Sequence, residues 1–327
     1  MSVLSLQQGA LAEERAAAGE RYNPTFRGAA YAVAMRVLQF VLLALGCASE
    51  RTRLVQSGGV PIAVHIAGSG PTCLVIPGGP GTDGRYLRMP ELEKRLRLVY
   101  LDPVGTGQSA RLAPSERYSF RRDARDVEAV RATLGLEKAC VIGHSYGGIV
   151  AERYAIDHPG AVGALILYDT AARQDEEFVK TLFENVKWFE GKSWYPEALA
   201  ELKSIGHAKT DAAASEAWAR LAPLYFADFD ARRAGYEQAR HAPAYADASS
   251  RRDDGFFDFR KELSSVAART LVLVGKRDFI ASEPFAREIA ATIPDARLAV
   301  FEHSGHMAHL EEPELFARTV ADFVEQK

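Results

Sequence analysis

The sequence predicts an α/β protein: a mostly parallel sheet with helices on both faces and a helical stretch inserted late in the chain. Three observations predict it. From residue 51 onward, short apolar runs alternate with segments of helical periodicity. The runs are apolar throughout rather than at every second position, as strands buried on both faces require. Between residues 172 and 257 the alternation stops, and charged and aromatic residues mix without a strand pattern before it resumes. These changes divide the chain into an N-terminal extension (1–50), a sheet-bearing core (51–171 and 258–327) and a helical insertion (172–257).

The elements follow in order. Residues 54–56 and 62–66, separated by Ser57, Gly58 and Gly59, read as an opening hairpin. Residues 73–76 form the next strand and run into Pro77-Gly78-Gly79-Pro80-Gly81. Residues 96–101 form another, ending at Asp102 and a loop with Gly105 and Gly107. Then come a helix (121–134), a strand (139–142), a helix (149–156) and a strand (164–168). Beyond the insertion the rhythm returns as strand (270–274), helix (284–291), strand (298–301) and helix (314–323). Open α/β sheets bind ligands beyond the carboxyl ends of their strands, so helices inserted there read as a lid. There is no internal repeat and no low-complexity tract.

Composition narrows the function classes. A net charge of −3 with both signs interspersed leaves no basic stripe for nucleic acid. The three cysteines, Cys47, Cys73 and Cys140, form no C-x-x-C pair and no zinc-spaced cluster. Neither a disulfide framework nor a structural metal is expected, and Cys73 and Cys140 read as buried free thiols. Residues 29–48 are mostly apolar but broken by Arg36 and Gln39, short of the roughly 20 apolar residues of a comfortable membrane span. Read from Met35, the segment looks like a secretory signal, with Cys47 in the place of a lipid-bearing residue. Otherwise it is an extra helix or translated upstream sequence. The expected location is cytoplasmic, the alternative being export or lipid anchoring from near Met35, and membrane contact belongs to that alternative only.

The chemistry-bearing motif is Gly143-His144-Ser145-Tyr146-Gly147, followed by Gly148. It follows an apolar strand and opens a helix, the setting of a nucleophile elbow, where a sharp turn lifts the serine from the sheet edge. The first N–H groups of the following helix then lie near a developing oxyanion. The glycine-rich loop at 77–81 stands where the other oxyanion donor comes from, so Gly79 and Tyr146 are expected to donate their backbone N–H groups. A serine nucleophile needs a base, and the base needs a carboxylate to orient it. Asp278, after the strand at 270–274, is the expected acid, with Asp169 as the alternative. His306 is the expected base, His303 and His309 being loop or lid contacts and His144 packing at the elbow.

Together with Asp102-Pro103-Val104-Gly105-Thr106-Gly107-Gln108-Ser109, Gly275-Lys276-Arg277-Asp278 and Gly305-His306 to Glu312-Pro313, these motifs resemble the proline iminopeptidase branch of the α/β-hydrolases over residues 51–326. The resemblance implies an eight-stranded, mostly parallel sheet, a Ser–Asp–His triad and no cofactor. It also implies removal of an N-terminal proline or other residue from short peptides, while relatives cleave esters, amides or lactones. Pro77 replaces a histidine usual in that branch, and Asp102-Pro103-Val104-Gly105 replaces its usual Asp-Gln-Arg-Gly. Iminopeptidases hold the substrate amino terminus with lid acids, for which Glu176, Glu177, Glu184, Asp228 and Asp230 are candidates. Trp188, Trp194 and Trp218 all fall in the insertion, either lining an apolar pocket or holding the small subdomain together. The expected substrate is a small molecule or short peptide, cleaved as an iminopeptidase would or as an esterase, lactonase or thioesterase would. A hydrolase-fold binding protein with slow or no turnover is the alternative of another class.

Overall fold

The computed structural model describes residues 51–204 and 206–326. The signal-like segment and Cys47 lie outside the described residues. Eight strands form one sheet in the order β1-β2-β4-β3-β5-β6-β9-β10. They are β1 (Arg51–Ser57), β2 (Val60–Ala67), β3 (Thr72–Ile76), β4 (Arg97–Leu101), β5 (Ala139–His144), β6 (Val162–Tyr168), β9 (Arg269–Gly275) and β10 (Ala296–Phe301). The β1–β2 and β2–β4 pairs are antiparallel and the rest parallel.

Successive strand side chains point to opposite faces, and the core divides accordingly. Leu74, Ile76, Val141, Leu165 and Val272 pack on one face. They meet α2 (Phe120–Thr133) and α3 (Tyr146–Asp157), which follow the single-turn α1 (Pro90–Glu93). Cys73, Val75, Ile142, Ile166 and Leu273 pack on the other face, with residues of the inserted region and of the C-terminal helix.

The sequence left Cys73 and Cys140 as free thiols, and the structure corrects this: a disulfide joins them. The reason lies in the strand order. β3 and β5 are neighbours, Cys73 and Cys140 are register partners on the same face, and their Cα atoms are 4.4 Å apart, within disulfide reach.

Residues 172–257 also depart from the strandless expectation. Two short strands, β7 (Arg173–Gln174) and β8 (Phe257–Asp258), pair where this region leaves and re-enters the sheet-bearing part. Between them lie α4 (Glu176–Asn185), α5 (Tyr195–Lys203), α6 (Asp211–Leu221), α7 (Tyr236–Arg240) and α8 (Ala246–Ser250). The chain closes with α9 (Arg260–Leu263), α10 (Glu283–Thr292), α11 (Ala308–Glu311) and α12 (Pro313–Glu325). Among the described residues, no helix is long and apolar enough to cross a membrane.

Candidate active site

Ser145 sits between β5 and α3 with φ 55° and ψ −123°, a left-handed conformation that is strained for any residue with a side chain. The surroundings over-determine it. A Cβ on Gly147 would overlap the Ile76 and Pro77 carbonyl oxygens, and one on Gly148 would overlap the Thr170 side chain. A Cβ on Gly78 would stand 2.8 Å from Ser145 Cβ. The elbow is therefore tight because three chain segments cross there, and only glycine fits.

His306 and Asp278 are both buried, with His306 Nδ1 2.9 Å from Asp278 Oδ2. The two are in ion-pair contact without the alignment of a hydrogen bond, and His306 Nε2 has no protein hydrogen-bond partner. Such geometry is often loose until substrate binds. Two glycines bring the acid and base loops together, since a Cβ on Gly275 would overlap the Gly305 carbonyl. The His306 N–H donates to the Tyr225 carbonyl at 2.8 Å, and Ile280 N–H donates to Asp278 Oδ1 at 2.9 Å.

Asp169, the alternative acid, lies in the same cluster. It is fully buried with φ 48°. Its Oδ1 accepts from Gly275 N–H at 2.8 Å, and its Oδ2 has no partner. Burial, reinforced by the neighbouring Asp278 charge, pushes its carboxyl well above the usual range, which favours its neutral form beside the Asp278–His306 pair.

The other histidines separate clearly. His303 is exposed. His309 is buried between the Tyr168 hydroxyl and the Tyr86 carbonyl, at 3.1 Å from each, and burial lowers its pKa to about 4. His144 packs at the elbow, its Nδ1 2.7 Å from the Tyr86 hydroxyl and its Nε2 2.9 Å from the His306 carbonyl. Burial pushes its pKa well down, so it is neutral, donating from Nε2 and accepting at Nδ1. Ligand-type atoms of His144, Asp169 and His306 come within 4.8 Å of one another. Both His144 nitrogens are already engaged, which leaves two donors where a metal wants three or more.

Sequence reasoning missed Tyr86. Its hydroxyl accepts from Gly78 N–H at 2.6 Å and meets His144 Nδ1. The path Gly78–Tyr86–His144–His306 thus ties the glycine loop to the backbone of His306. Gly79 lies in that loop at φ 119°, and Tyr146 opens α3, whose first N–H groups have no helical partner. Nothing in the local sequence around Tyr86 marks it, because its partners are 8 and 58 residues away.

The three tryptophans have different surroundings. Trp218 is buried, its ring 6.0 Å from Tyr86 and 4.9 Å from Tyr225, which itself packs 5.3 Å from His306. Trp188 is 45% exposed with Arg277 over its ring. Trp194 donates to Asp230 and packs on Phe189 and Phe229, so it holds the helical region together. Glu176, Glu177, Glu184, Asp228 and Asp230 are all exposed. Glu177 pairs with Arg173, Glu184 with Lys180, and both aspartates with Lys192. A buried acid of this region's floor is Glu311, which accepts from Gly305 N–H at 2.7 Å and Ala227 N–H at 2.8 Å. Burial raises its pKa to about 7.

A cavity of about 580 Å³ is lined by Arg85, Arg88, Asp102, Gln108, Gln238 and Tyr245 among others, and Ser145, Asp278 and His306 are not among its lining residues.

Comparison with known proteins places these features in context. A family model described as the alpha/beta hydrolase fold matches residues 71–313. The chain is 30% identical to the proline iminopeptidase PfmaB of Pestalotiopsis fici over 284 residues, 83% of this chain and 99% of that protein. Among solved structures, a proline iminopeptidase of Mycobacterium smegmatis matches with TM-score 0.64 at 21% identity, covering 84% of this chain and 98% of its own. An esterase of Exiguobacterium antarcticum matches with TM-score 0.61 at 24% identity, covering 84% and 100%.

Proposed function

The chain belongs to the α/β-hydrolase fold family, and on that premise we propose that it is a serine hydrolase cleaving an ester or amide of a small substrate with an uncharged acyl group. The observation that carries this reading is His306, held by buried Asp278 on one nitrogen and without a protein partner on the other, in a chain that also forces Ser145 into an elbow. His306 Nε2 takes the Ser145 proton as the hydroxyl attacks the carbonyl. Gly79 and Tyr146 N–H groups hold the oxyanion, and Asp278 orients the ring and stabilises its positive charge. His306 then protonates the leaving group and activates the water that releases the acid. The burial that raises the Asp169 carboxyl disfavours a second negative charge next to the Asp278–His306 pair.

The uncharged acyl group follows from the surroundings. Trp218, Tyr225 and Tyr86 supply aromatic surface next to His306, and the acids that would capture an ammonium are exposed, four of the five pairing with cations. A second reading, removal of an N-terminal residue from short peptides, is favoured by the relative named a proline iminopeptidase. Hydrolysis of prolyl-, alanyl- and leucyl-β-naphthylamide beside short- and medium-chain nitrophenyl esters separates the two. Ester turnover exceeding amide turnover, both lost in Ser145→Ala, is the expected result. Fast prolyl-amide turnover with little ester turnover would replace the first reading by the second.

A further inference from the structure

One stretch of chain, residues 244–254, touches both halves of the oxyanion site. Toward the glycine loop, Tyr245 N–H donates to the Gly81 carbonyl at 2.7 Å, and Ala244 forms a bridge with Thr82. The Tyr245 hydroxyl donates to Asp83 at 3.0 Å. A Cβ on Gly81 would stand 2.8 Å from Ser249 Cβ, so the loop carrying Gly79 is pressed against α8. Toward the elbow, the Arg252 guanidinium lies 4.5 Å from the centroid of the Tyr146 ring and also donates to its hydroxyl. Asp123 of α2 accepts from that hydroxyl at 2.9 Å and pairs with Arg252 at 3.4 Å. Arg252 is itself fixed by Asp254 at 2.6 Å and by the Ala248 carbonyl at 3.1 Å. Asp254 in turn accepts from Phe120 N–H at 2.7 Å, at the start of α2.

We propose that residues 244–254 form an arm that sets the oxyanion hole, with Arg252 as a positioning residue acting through the Tyr146 ring and Tyr245 acting through the Gly81 carbonyl. This rests on the Ser145 reading above. An oxyanion hole works only when its donors are already aimed at the position the oxygen will take, and small displacements of a donor weaken it steeply. Tyr146 follows the nucleophile directly, so its side chain, held by Arg252 over the ring and by the Arg252–Asp123 pair at the hydroxyl, fixes the peptide plane that carries its N–H. Gly79 is two residues from the carbonyl that Tyr245 holds. The same arm closes the helical region onto the sheet, so movement of that region and alignment of both donors are one event. A substrate that keeps the arm seated is thereby selected at the transition state rather than in binding.

The test is the rate of active-site labelling by a fluorophosphonate, separated into kinact and KI, in wild type, Ser145→Ala, Arg252→Met, Arg252→Lys and Tyr146→Phe. Losing one oxyanion donor outright costs about 100–1,000-fold, so loosening one is expected to cost about 10–100-fold. Arg252→Met should lower kinact by that factor with KI changed less than about 3-fold, and Arg252→Lys should fall between it and wild type. Tyr146→Phe, which keeps the ring and loses only the hydroxyl, should lower kinact about 3–10-fold and decides the matter if Arg252→Met does not fold. Unchanged kinact in both Arg252→Met and Tyr146→Phe, or a change confined to KI, overturns the arm while leaving Ser145 in place. Undiminished labelling of Ser145→Ala overturns the Ser145 reading instead.

Discussion

Around Ser145, Gly78, Gly143, Gly147 and Gly148 have no room for a Cβ, whereas in the helical region Gly191 and Gly206 have nothing within 4 Å of where one would stand. The contrast extends to charge. Beneath the elbow, Asp169, Asp278 and His306 are buried together, while Glu177, Glu184, Asp228 and Asp230 face solvent in ordinary ion pairs. The elbow end of the sheet is sterically over-determined and electrostatically dry. The helical region is held by aromatic contacts that leave its outer face free to vary. On the proposed function, one region sets the reaction and the other what enters, and each can be perturbed separately.

The largest expected effect is in the elbow. Gly147→Ala drives a methyl into two carbonyl oxygens and should cost about 4 kcal/mol or more, leaving little folded protein. Gly191→Ala meets only the strain of its positive φ of 92°, about 1–2 kcal/mol. Chemical denaturation of both compares them directly, and equal losses would erase the distinction.

Next in size is the division of labour between the two acids. Asp278→Asn should lower kcat about 10,000-fold by leaving the imidazole wrongly protonated and uncompensated. Asp169→Asn replaces a neutral carboxyl with a neutral amide that still accepts from Gly275 N–H, so its loss should stay below about 10-fold. Steady-state kinetics on one ester decide this, and a larger loss in Asp169→Asn would exchange the two roles.

The same contrast explains what was legible in the sequence. The elbow, the strands and the meeting of Asp278 with His306 could be read because each follows from local patterns of apolar runs and glycines. The disulfide could not, because it depends on β3 and β5 being neighbours, a fact about strand order rather than about either cysteine's surroundings. Tyr86 was missed for the same reason. The tryptophans looked alike in a helical stretch without clean periodicity, yet Trp218 is buried against Tyr86 and Tyr225 while Trp188 lies outside against Arg277. Two-residue strands such as β7 and β8 are too short to carry any alternation.

That difference between tryptophans is the third point to press. Trp218→Ala should lower kcat/KM on an aryl ester by about 10-fold and cost about 3 kcal/mol of stability, whereas Trp188→Ala should change either by little more than measurement error. If Trp188→Ala raises KM as strongly, the exposed face takes part in binding.

The last effect, read in pH rather than in rate, concerns Glu311, which joins the two regions through Gly305 and Ala227. Its pKa is raised from 4.5 to about 7 by burial. Between those values the folded chain keeps a proton that the unfolded chain releases, so stability falls as pH rises through that window. Relative to Glu311→Gln, wild type should lose on the order of 3 kcal/mol between pH 4.5 and 7. Thermal unfolding of both proteins across pH 5–8 reads this, and a constant difference would show that Glu311 does not ionise there.

The central claim is that Ser145 forms an acyl-enzyme, and pre-steady-state hydrolysis of nitrophenyl acetate tests it most directly. The account predicts a burst of nitrophenolate equal to the enzyme concentration, an acetyl group on the peptide containing Ser145, and neither in Ser145→Ala. A full burst in Ser145→Ala, or an acetyl group carried by another residue, would contradict it.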